Sequence, residues 1–230
     1  MNETIRVKIK RSDGTNIDQE VPCTEYSTVL DLLDWLKAGP VPSLAYRASC
    51  RSGICGSCGV MVNGRPVLAC ETFASGFRKS GINIGPLAKL PVLRDLIVDT
   101  NPFLTQLRSA LAWHLPQPSV TDGNSITKQT PAQLADYRQL SQCINCLLCY
   151  SACPQYVSPE QYIGPAAIVL AQRWSLDSRD EGPEQRFEAL AEAENGIWPC
   201  TLDGSCTLVC PKGIDPKSII GALQRQALGA

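Results

Sequence analysis

Residues 143–154 read CINCLLCYSACP and residues 200–211 read CTLDGSCTLVCP. Written as spacings, the first run is C-x2-C-x2-C-x3-C-P. The second keeps that frame, but Asp203 stands where the second cysteine would be. A further group lies nearer the N-terminus, with Cys50, Cys55 and Cys58 in CRSGICGSC and Cys70 beyond them. Eleven of the 12 cysteines in the chain belong to these three groups. Disulfide scaffolds seldom group their cysteines this way, and nothing in MNETIRVKIKRSDG has the apolar core of an export signal, so reduced thiols and metal ligation are expected. Zinc would favour separate sets of four Cys or Cys/His ligands, whereas the single histidine, His114, lies outside every group. Covalent haem attachment needs C-x-x-C-H, which does not occur. Iron–sulfur clusters, whose usual ligands are thiolates, are what remain.

Each spacing points to a cluster type. Cys50, Cys55, Cys58 and Cys70 have the C-x4-C-x2-C…C pattern of plant-type [2Fe–2S] ferredoxins. Gly53 and Gly56 let that loop curl closely, so that backbone N–H groups are directed at sulfur. Cys143, Cys146, Cys149 and Cys153, followed by Pro154, form the bacterial two-cluster run, in which the fourth cysteine serves the other cluster. Crosswise ligation then assigns Cys143, Cys146, Cys149 and Cys210 to one [4Fe–4S] cluster. Only Cys153, Cys200 and Cys206 are left for the other, and three thiolates hold three irons, so a [3Fe–4S] cluster is expected there. Asp203 is either a fourth ligand or, with Gly204, a turn.

The remaining sequence limits the setting. A chain of 230 residues with 44% hydrophobic residues allows two small domains with packed cores. A net charge of −1 does not suggest a nucleic-acid partner. No apolar run approaches the roughly 18–20 residues of a membrane span, and a cytoplasmic location, or one on the cytoplasmic face of a larger assembly, is expected.

The fold class predicted is α+β, with a boundary near residue 100 between domains at 1–100 and 101–230. In TIRVKIK (residues 4–10), Ile5, Val7 and Ile9 alternate with charges, which predicts a half-buried strand returning over 16–21 after Asp13-Gly14. Thr28 caps a predicted helix whose apolar face is Val29, Leu32, Leu33 and Leu36, and Gly39-Pro40 end it. GVMVNGRPVLAC predicts a hairpin around Asn63-Gly64. Beyond residue 101, helices are predicted over 103–112, 132–140, 160–173, 184–194 and 217–226. Residues 115–133, rich in Pro, Ser and Thr, predict an ordered connection along the surface.

These cysteine groups and the sequence around them resemble one family, the iron–sulfur subunit of succinate dehydrogenases and fumarate reductases (succinate:quinone oxidoreductases). The resemblance runs from about Leu30 to Pro216. It is carried by YRASCRSGICGSCGVMVNG, LAC, RDLIVD, QTPAQLADYRQLSQCINCLLCYSACPQY, IGPAAIVLAQRW, DSRD and VCPKGIDP. It implies an N-terminal β-grasp plant-type ferredoxin domain and a C-terminal α-helical bacterial-type ferredoxin domain, with clusters in the series [2Fe–2S], [4Fe–4S], [3Fe–4S]. It implies two partners, a flavoprotein carrying FAD and a membrane anchor that binds quinone, and a peripheral place on the cytoplasmic face of the bacterial inner membrane. The chain would pass single electrons between them, with the dicarboxylate chemistry left to the flavoprotein. Asp203-Gly204 then reads as a turn, because the resemblance implies a three-iron centre.

The resemblance also bears on the quinone end. Members that use ubiquinone tend to carry tryptophans where this chain has Val157 and Ser158, and a histidine where it has Thr201. Thr201 is similar to menaquinone-using fumarate reductases, whose final-helix lysine aligns with Gln224, beside Arg225. Thr201 and Trp198 are the candidate quinone-end residues, and Trp198 reads equally as packing beside Cys200. Trp35, Trp113, Trp174 and Trp198 read first as core anchors, Cys23 as a buried thiol at a strand end, and His114 as a surface or interface residue. Arg47 and Arg51, flanking Cys50, read either as solvated loop charges or as contacts for a flavoprotein. Two other readings stand beside the leading one: a component of a soluble thiol- or NADH-linked fumarate reductase, and a free multi-cluster carrier.

Overall fold

The computed structural model describes residues 3–116 and 127–229. Within them the chain forms two compact units, one running to Asp99 and including Ile144–Ala152, the other made of Thr100–Cys143 and the residues from Cys153 on.

In the first unit, β1 (Thr4–Lys10) buries Ile5, Val7 and Ile9 on one face and pairs antiparallel with β2 (Asn16–Pro22). Helix α1 (Val29–Ala38) starts at Thr28, whose Oγ1 accepts the Asp31 N–H at 3.2 Å while the Asp31 carboxylate accepts the Thr28 N–H at 2.8 Å. This reciprocal cap satisfies two of the N–H groups that a helix start leaves open. The helix buries Val29, Leu30, Leu32, Leu33 and Leu36, then ends where the Gly39 N–H returns to the Trp35 carbonyl. Strands β3 (Gly59–Val62) and β4 (Arg65–Leu68) form the expected hairpin, with Asn63 at φ 46° and Gly64 at φ 82° in the primed turn that favours this pair. Strand β5 (Ile82–Gly85) runs parallel to β1 and closes a sheet of order β2-β1-β5-β3-β4. The short strands β6 (Val92–Arg94) and β7 (Ile97–Val98) pair separately. One mixed sheet with a helix against it is what the sequence predicts, in the β-grasp arrangement implied by the resemblance.

The second unit is helical. Helices α2 (Asn101–Ser109) and α3 (Pro131–Arg138) precede the first cysteine run, and the latter is capped by Thr130 and Gln133 in the same reciprocal way. The five-residue α4 (Leu148–Ala152), inside that run, belongs to the first unit. Helix α5 (Pro165–Ser175) buries Ala166, Ala167, Ile168, Val169 and Ala171 and packs on α2, α6 (Pro183–Ala191) and α8 (Pro216–Ala227). Helix α7 (Ser205–Leu208) lies within the last cysteine run.

Two of the family-like motifs are structural. In DSRD, the Arg186 guanidinium meets Asp180 at 2.6 Å with both side chains fully buried, and it also donates to the Leu111 and Trp113 carbonyls. Asp177 of the same motif is bracketed by Arg173 and Arg179. In RDLIVD, buried Asp95 accepts from Arg11, Ser12 and the Ala45 N–H, which ties the loop before the cysteines to the sheet.

Several expectations are corrected. The helix predicted over 160–173 begins only at Pro165, because the backbone at Gly164 has φ 88°. The predicted 103–112 helix stops at Ser109, before Leu111 at φ 50°. Helices α4 and α7 are too short to show periodicity in the sequence. Trp35, Trp113 and Trp198 are 39%, 41% and 42% exposed, so they are not core anchors. Trp174 is half-buried, with the Arg173 guanidinium 3.7 Å from its ring centroid and His114 stacked on it. Of the predicted connection at 115–133, residues 117–126 lie outside the described residues.

Candidate metal centres

The β3–β4 hairpin brings the first cysteine group together. Gly59 pairs with Leu68, so Cys58 just before β3 and Cys70 just after β4 fall side by side, their sulfurs 3.4 Å apart. The loop from Cys50 to Cys58 closes over them. The N–H groups of Ser52, Ile54 and Cys55 point at the Cys50 sulfur from 3.5, 3.2 and 3.2 Å, and the Gly53 N–H points at the Cys70 sulfur from 3.3 Å. The amides of Ser52, Cys55 and Ile54 pull the Cys50 thiol down to about 6. Burial pushes the Cys58 thiol up to about 11. Amides aimed at sulfur stabilise negative charge, and four thiols converging beneath them fit a two-iron cluster. This loop lies against the start of the second cysteine run. A methyl group built at Gly56 would stand 2.5 Å from the Ile144 carbonyl oxygen and 3.1 Å from Cα and Cβ of Cys146.

The third group is gathered in the second unit. Cys153, Cys200 and Cys206 line one small cavity with Pro154, Tyr162, Thr201 and Asp203. Cys153 and Cys206 are buried, and burial raises the Cys206 thiol to about 11. The Leu202 N–H donates to the Cys200 sulfur at 3.4 Å, and the Gln224 amide holds the Cys200 and Ile197 carbonyls at 3.0 and 2.9 Å. Tyr162 is fully buried, and its hydroxyl has no hydrogen-bond partner among the described protein atoms. Burial, and after it the Cys200, Cys153 and Cys206 thiols, raise this phenol far above its usual range. Three thiols and an unmatched buried donor around one cavity fit a sulfide-bearing cluster with three protein ligands. Asp203 accepts from the Ser205 N–H at 3.0 Å and from the Ser205 hydroxyl, and Gly204 follows at φ 91° before α7. Those hydrogen bonds hold the Asp203 carboxyl below its ordinary range.

In the second group, Cys146 is bracketed by Asn145 and Leu147 at φ 54° and 62°, a tight local path that turns the chain on either side of it. Cys146 and Cys149 belong to the first unit, Cys143 and Cys210 to the second. Among the described residues, no three His, Cys, Asp or Glu side chains crowd as closely as a single metal ion requires. A polynuclear cluster spreads its thiolates over several irons and asks for less crowding.

Other singled-out residues have definite places. Arg51 pairs with Asp34 at 2.6 Å, and Arg47 donates to the Val98 carbonyl at 3.0 Å, so neither is a merely solvated charge. Cys23, just after β2, is buried and donates to the Thr24 carbonyl. Thr201 is exposed and its hydroxyl accepts from Gln155, while the Trp198 indole N–H donates to the Ala191 carbonyl. Sequence reading missed Tyr162 as part of the third centre, and nothing in IGPAAIVLAQRW marks the residue before it. By sequence Gln224 is only the counterpart of a lysine, whereas its amide clamps the segment that carries Cys200.

Residues 5–105 match the family described as a 2Fe-2S iron–sulfur cluster binding domain, and residues 139–214 match that described as a 4Fe-4S dicluster domain. The chain is 47% identical over 213 residues to the fumarate reductase iron–sulfur subunit of Mycobacterium tuberculosis, spanning 92% of this chain and 84% of that one. It is 46% identical over 221 residues to the corresponding subunit of Haemophilus influenzae, spanning 89% and 86%. It is 39% identical over 193 residues to the mitochondrial succinate dehydrogenase iron–sulfur subunit 3 of Arabidopsis thaliana, spanning 84% and 62%. Among solved structures, a chain of the Mycobacterium smegmatis Sdh1 complex in the apo form superposes with a TM-score of 0.90 at 26% identity, covering 100% of this chain and 97% of that one.

Proposed function

The chain belongs to the family of iron–sulfur subunits of fumarate reductases and succinate dehydrogenases, and from that premise we propose which residues carry its electrons and where. It is an electron-transfer subunit of an oxidoreductase complex. Cys50, Cys55, Cys58 and Cys70 hold a [2Fe–2S] cluster, Cys143, Cys146, Cys149 and Cys210 a [4Fe–4S] cluster, and Cys153, Cys200 and Cys206 a [3Fe–4S] cluster. Bound clusters of these types each take up and release one electron at a time, which links a two-electron flavin to a two-electron quinone. The flavin belongs to the flavoprotein partner and the quinone to the membrane anchor.

One observation carries the relay. The loop that presents Cys55 and Cys58 packs at Gly56 against the backbone of Cys146, a proposed ligand of the next cluster. The protein's own work in this scheme is to fix sulfur positions and supply N–H donors, as the four amides around Cys50 and Cys70 do. No helix among the described residues is long and apolar enough to cross a membrane. Close to the third centre in sequence, Leu208 is 84% exposed, and Val157 is exposed as well. These apolar residues suit docking to an anchor on the cytoplasmic face of a bacterial inner membrane, with Thr201 and Trp198 at the quinone end and menaquinone as the quinone.

The ligand sets are tested by Cys210→Ser and Cys206→Ser in the assembled complex, read by electron paramagnetic resonance. Cys210→Ser is expected to disturb the four-iron signal and Cys206→Ser the three-iron signal, although the two cysteines are four residues apart. Loss of only the three-iron signal in Cys210→Ser would refute crosswise ligation.

A further inference from the structure

Tyr162 presents a chemical problem that packing leaves unsolved. Its side chain is fully buried, yet its hydroxyl meets no protein acceptor. A buried hydroxyl without a partner is costly and uncommon in folded proteins. Phenylalanine would fill the same volume without that cost. Cys200 is the thiol that acts on the hydroxyl most, by its charge and as a loose hydrogen-bonding neighbour, but the contact falls short of ordinary hydrogen-bond geometry. Tyr162 is itself among the residues that line the cavity of Cys153, Cys200 and Cys206.

The backbone at Tyr162 is held as well. The Tyr162 carbonyl accepts the buried Gln106 amide at 3.2 Å, and its N–H donates to the Ser158 carbonyl at 3.2 Å. The next residue, Ile163, donates to the Asn195 carbonyl at 2.7 Å, and α5 begins two residues later at Pro165. The segments around Gln106 and Asn195 therefore hold the backbone at this point, and the side chain it carries is fully buried. The buried phenol is thus a donor without a well-placed protein acceptor.

We propose that the Tyr162 hydroxyl donates a hydrogen bond to a sulfur of the cluster held by Cys153, Cys200 and Cys206, and so raises the reduction potential of that centre. The inference rests on the ligand assignment given under the proposed function. Reduction adds one negative charge to the cluster, and a hydrogen bond to sulfur becomes stronger as that charge grows. The donor thus favours the reduced form of the centre that exchanges electrons with quinone. Gln106 serves as a positioning residue, since it acts only through the Tyr162 backbone.

The experiment is an anaerobic redox titration of the complete complex, followed by electron paramagnetic resonance, for the wild type and Tyr162→Phe. Removing one oxygen is expected to shift the one-electron reduction equilibrium of the three-iron centre about tenfold toward the oxidised form, which is about 59 mV. The other two centres are expected to keep their potentials. A second measurement looks for an exchangeable proton coupled to the oxidised three-iron centre, present in water, absent in deuterium oxide and absent in Tyr162→Phe. Should Tyr162→Phe fail to assemble, replacing tyrosine by 3-fluorotyrosine keeps the ring and strengthens the donor, and the potential is then expected to rise. An unchanged potential, or an unchanged proton coupling, would overturn the inference and assign the hydroxyl to a trapped water. Absence of any three-iron signal in the wild type would refute the ligand assignment instead.

Discussion

Replacing Gly56 by alanine probes the contact on which the proposed relay depends, and its cost can be worked from the structure. Gly56 has φ 70°, where an L residue costs about 1–2 kcal/mol. The new methyl would stand 2.5 Å from the Ile144 carbonyl oxygen, whereas a carbon and an oxygen normally approach no closer than about 3.3 Å. Backbone on both sides must therefore give by about 0.8 Å, and overpacking of that kind typically costs about 1–3 kcal/mol. The total is about 2–5 kcal/mol. Gly64→Ala is the control: at φ 82° with no atom within 4 Å of the added methyl, it carries the backbone penalty alone. At about 2–4 °C per kcal/mol for a chain of this length, midpoints are expected to fall by roughly 10 °C in Gly56→Ala and roughly 4 °C in Gly64→Ala. The assay is thermal unfolding of the cluster-loaded protein at one scan rate, followed by backbone signal and by bleaching of cluster absorbance. Equal losses in the two variants would show that the Cys55–Cys58 loop does not lie against the Ile144–Cys146 backbone.

Two further outcomes follow from the same geometry. Asp203 lines the cavity of the third cysteine group while its carboxylate is held by Ser205, so Asp203→Cys is expected to recruit a fourth iron, lower the potential and slow exchange with quinone. The oxidised three-iron signal in electron paramagnetic resonance should then vanish, and its persistence at full intensity would count against the cavity reading. Asp180→Asn leaves the buried Arg186 charge without its partner, a change expected to cost about 3–5 kcal/mol in unfolding experiments. Burial alone would raise the Asp180 carboxyl, but Arg186 and the Leu115 and Gly182 N–H groups outweigh it, and the net direction is down. Asp177 is lowered likewise, chiefly by its hydrogen bonds to Arg179. Carboxyls depressed on folding add stability that is present above the ordinary aspartate value near 4 and lost as pH falls through the folded value. Melting temperature should thus drop steeply below about pH 4 in the wild type and less steeply in Asp180→Asn.

The sequence by itself determined whatever depends on short reach along the chain. Alternation in β1, the Thr28 cap of α1 and the Asn63-Gly64 turn are local, because each is fixed by backbone preference and by neighbours within a few residues. The cysteine frames are legible for a related reason: ligands to one cluster within a loop must recur at the few spacings the backbone can span, so number and spacing alone name the cluster type. Tertiary structure decided what depends on distant segments meeting. Tyr162 lines the cavity of Cys153, Cys200 and Cys206 only once segments as distant as Gln106 and Asn195 have docked on its backbone and the neighbouring residue. Gln224, 24 residues beyond Cys200, holds that cysteine's carbonyl only once α8 has docked. The tryptophans were misread as core because large aromatic rings are buried on average, while three of these four sit at the edges of their units. Side-chain type sets what a residue can do, but burial and partner are properties of the packed chain, and no local spacing encodes them.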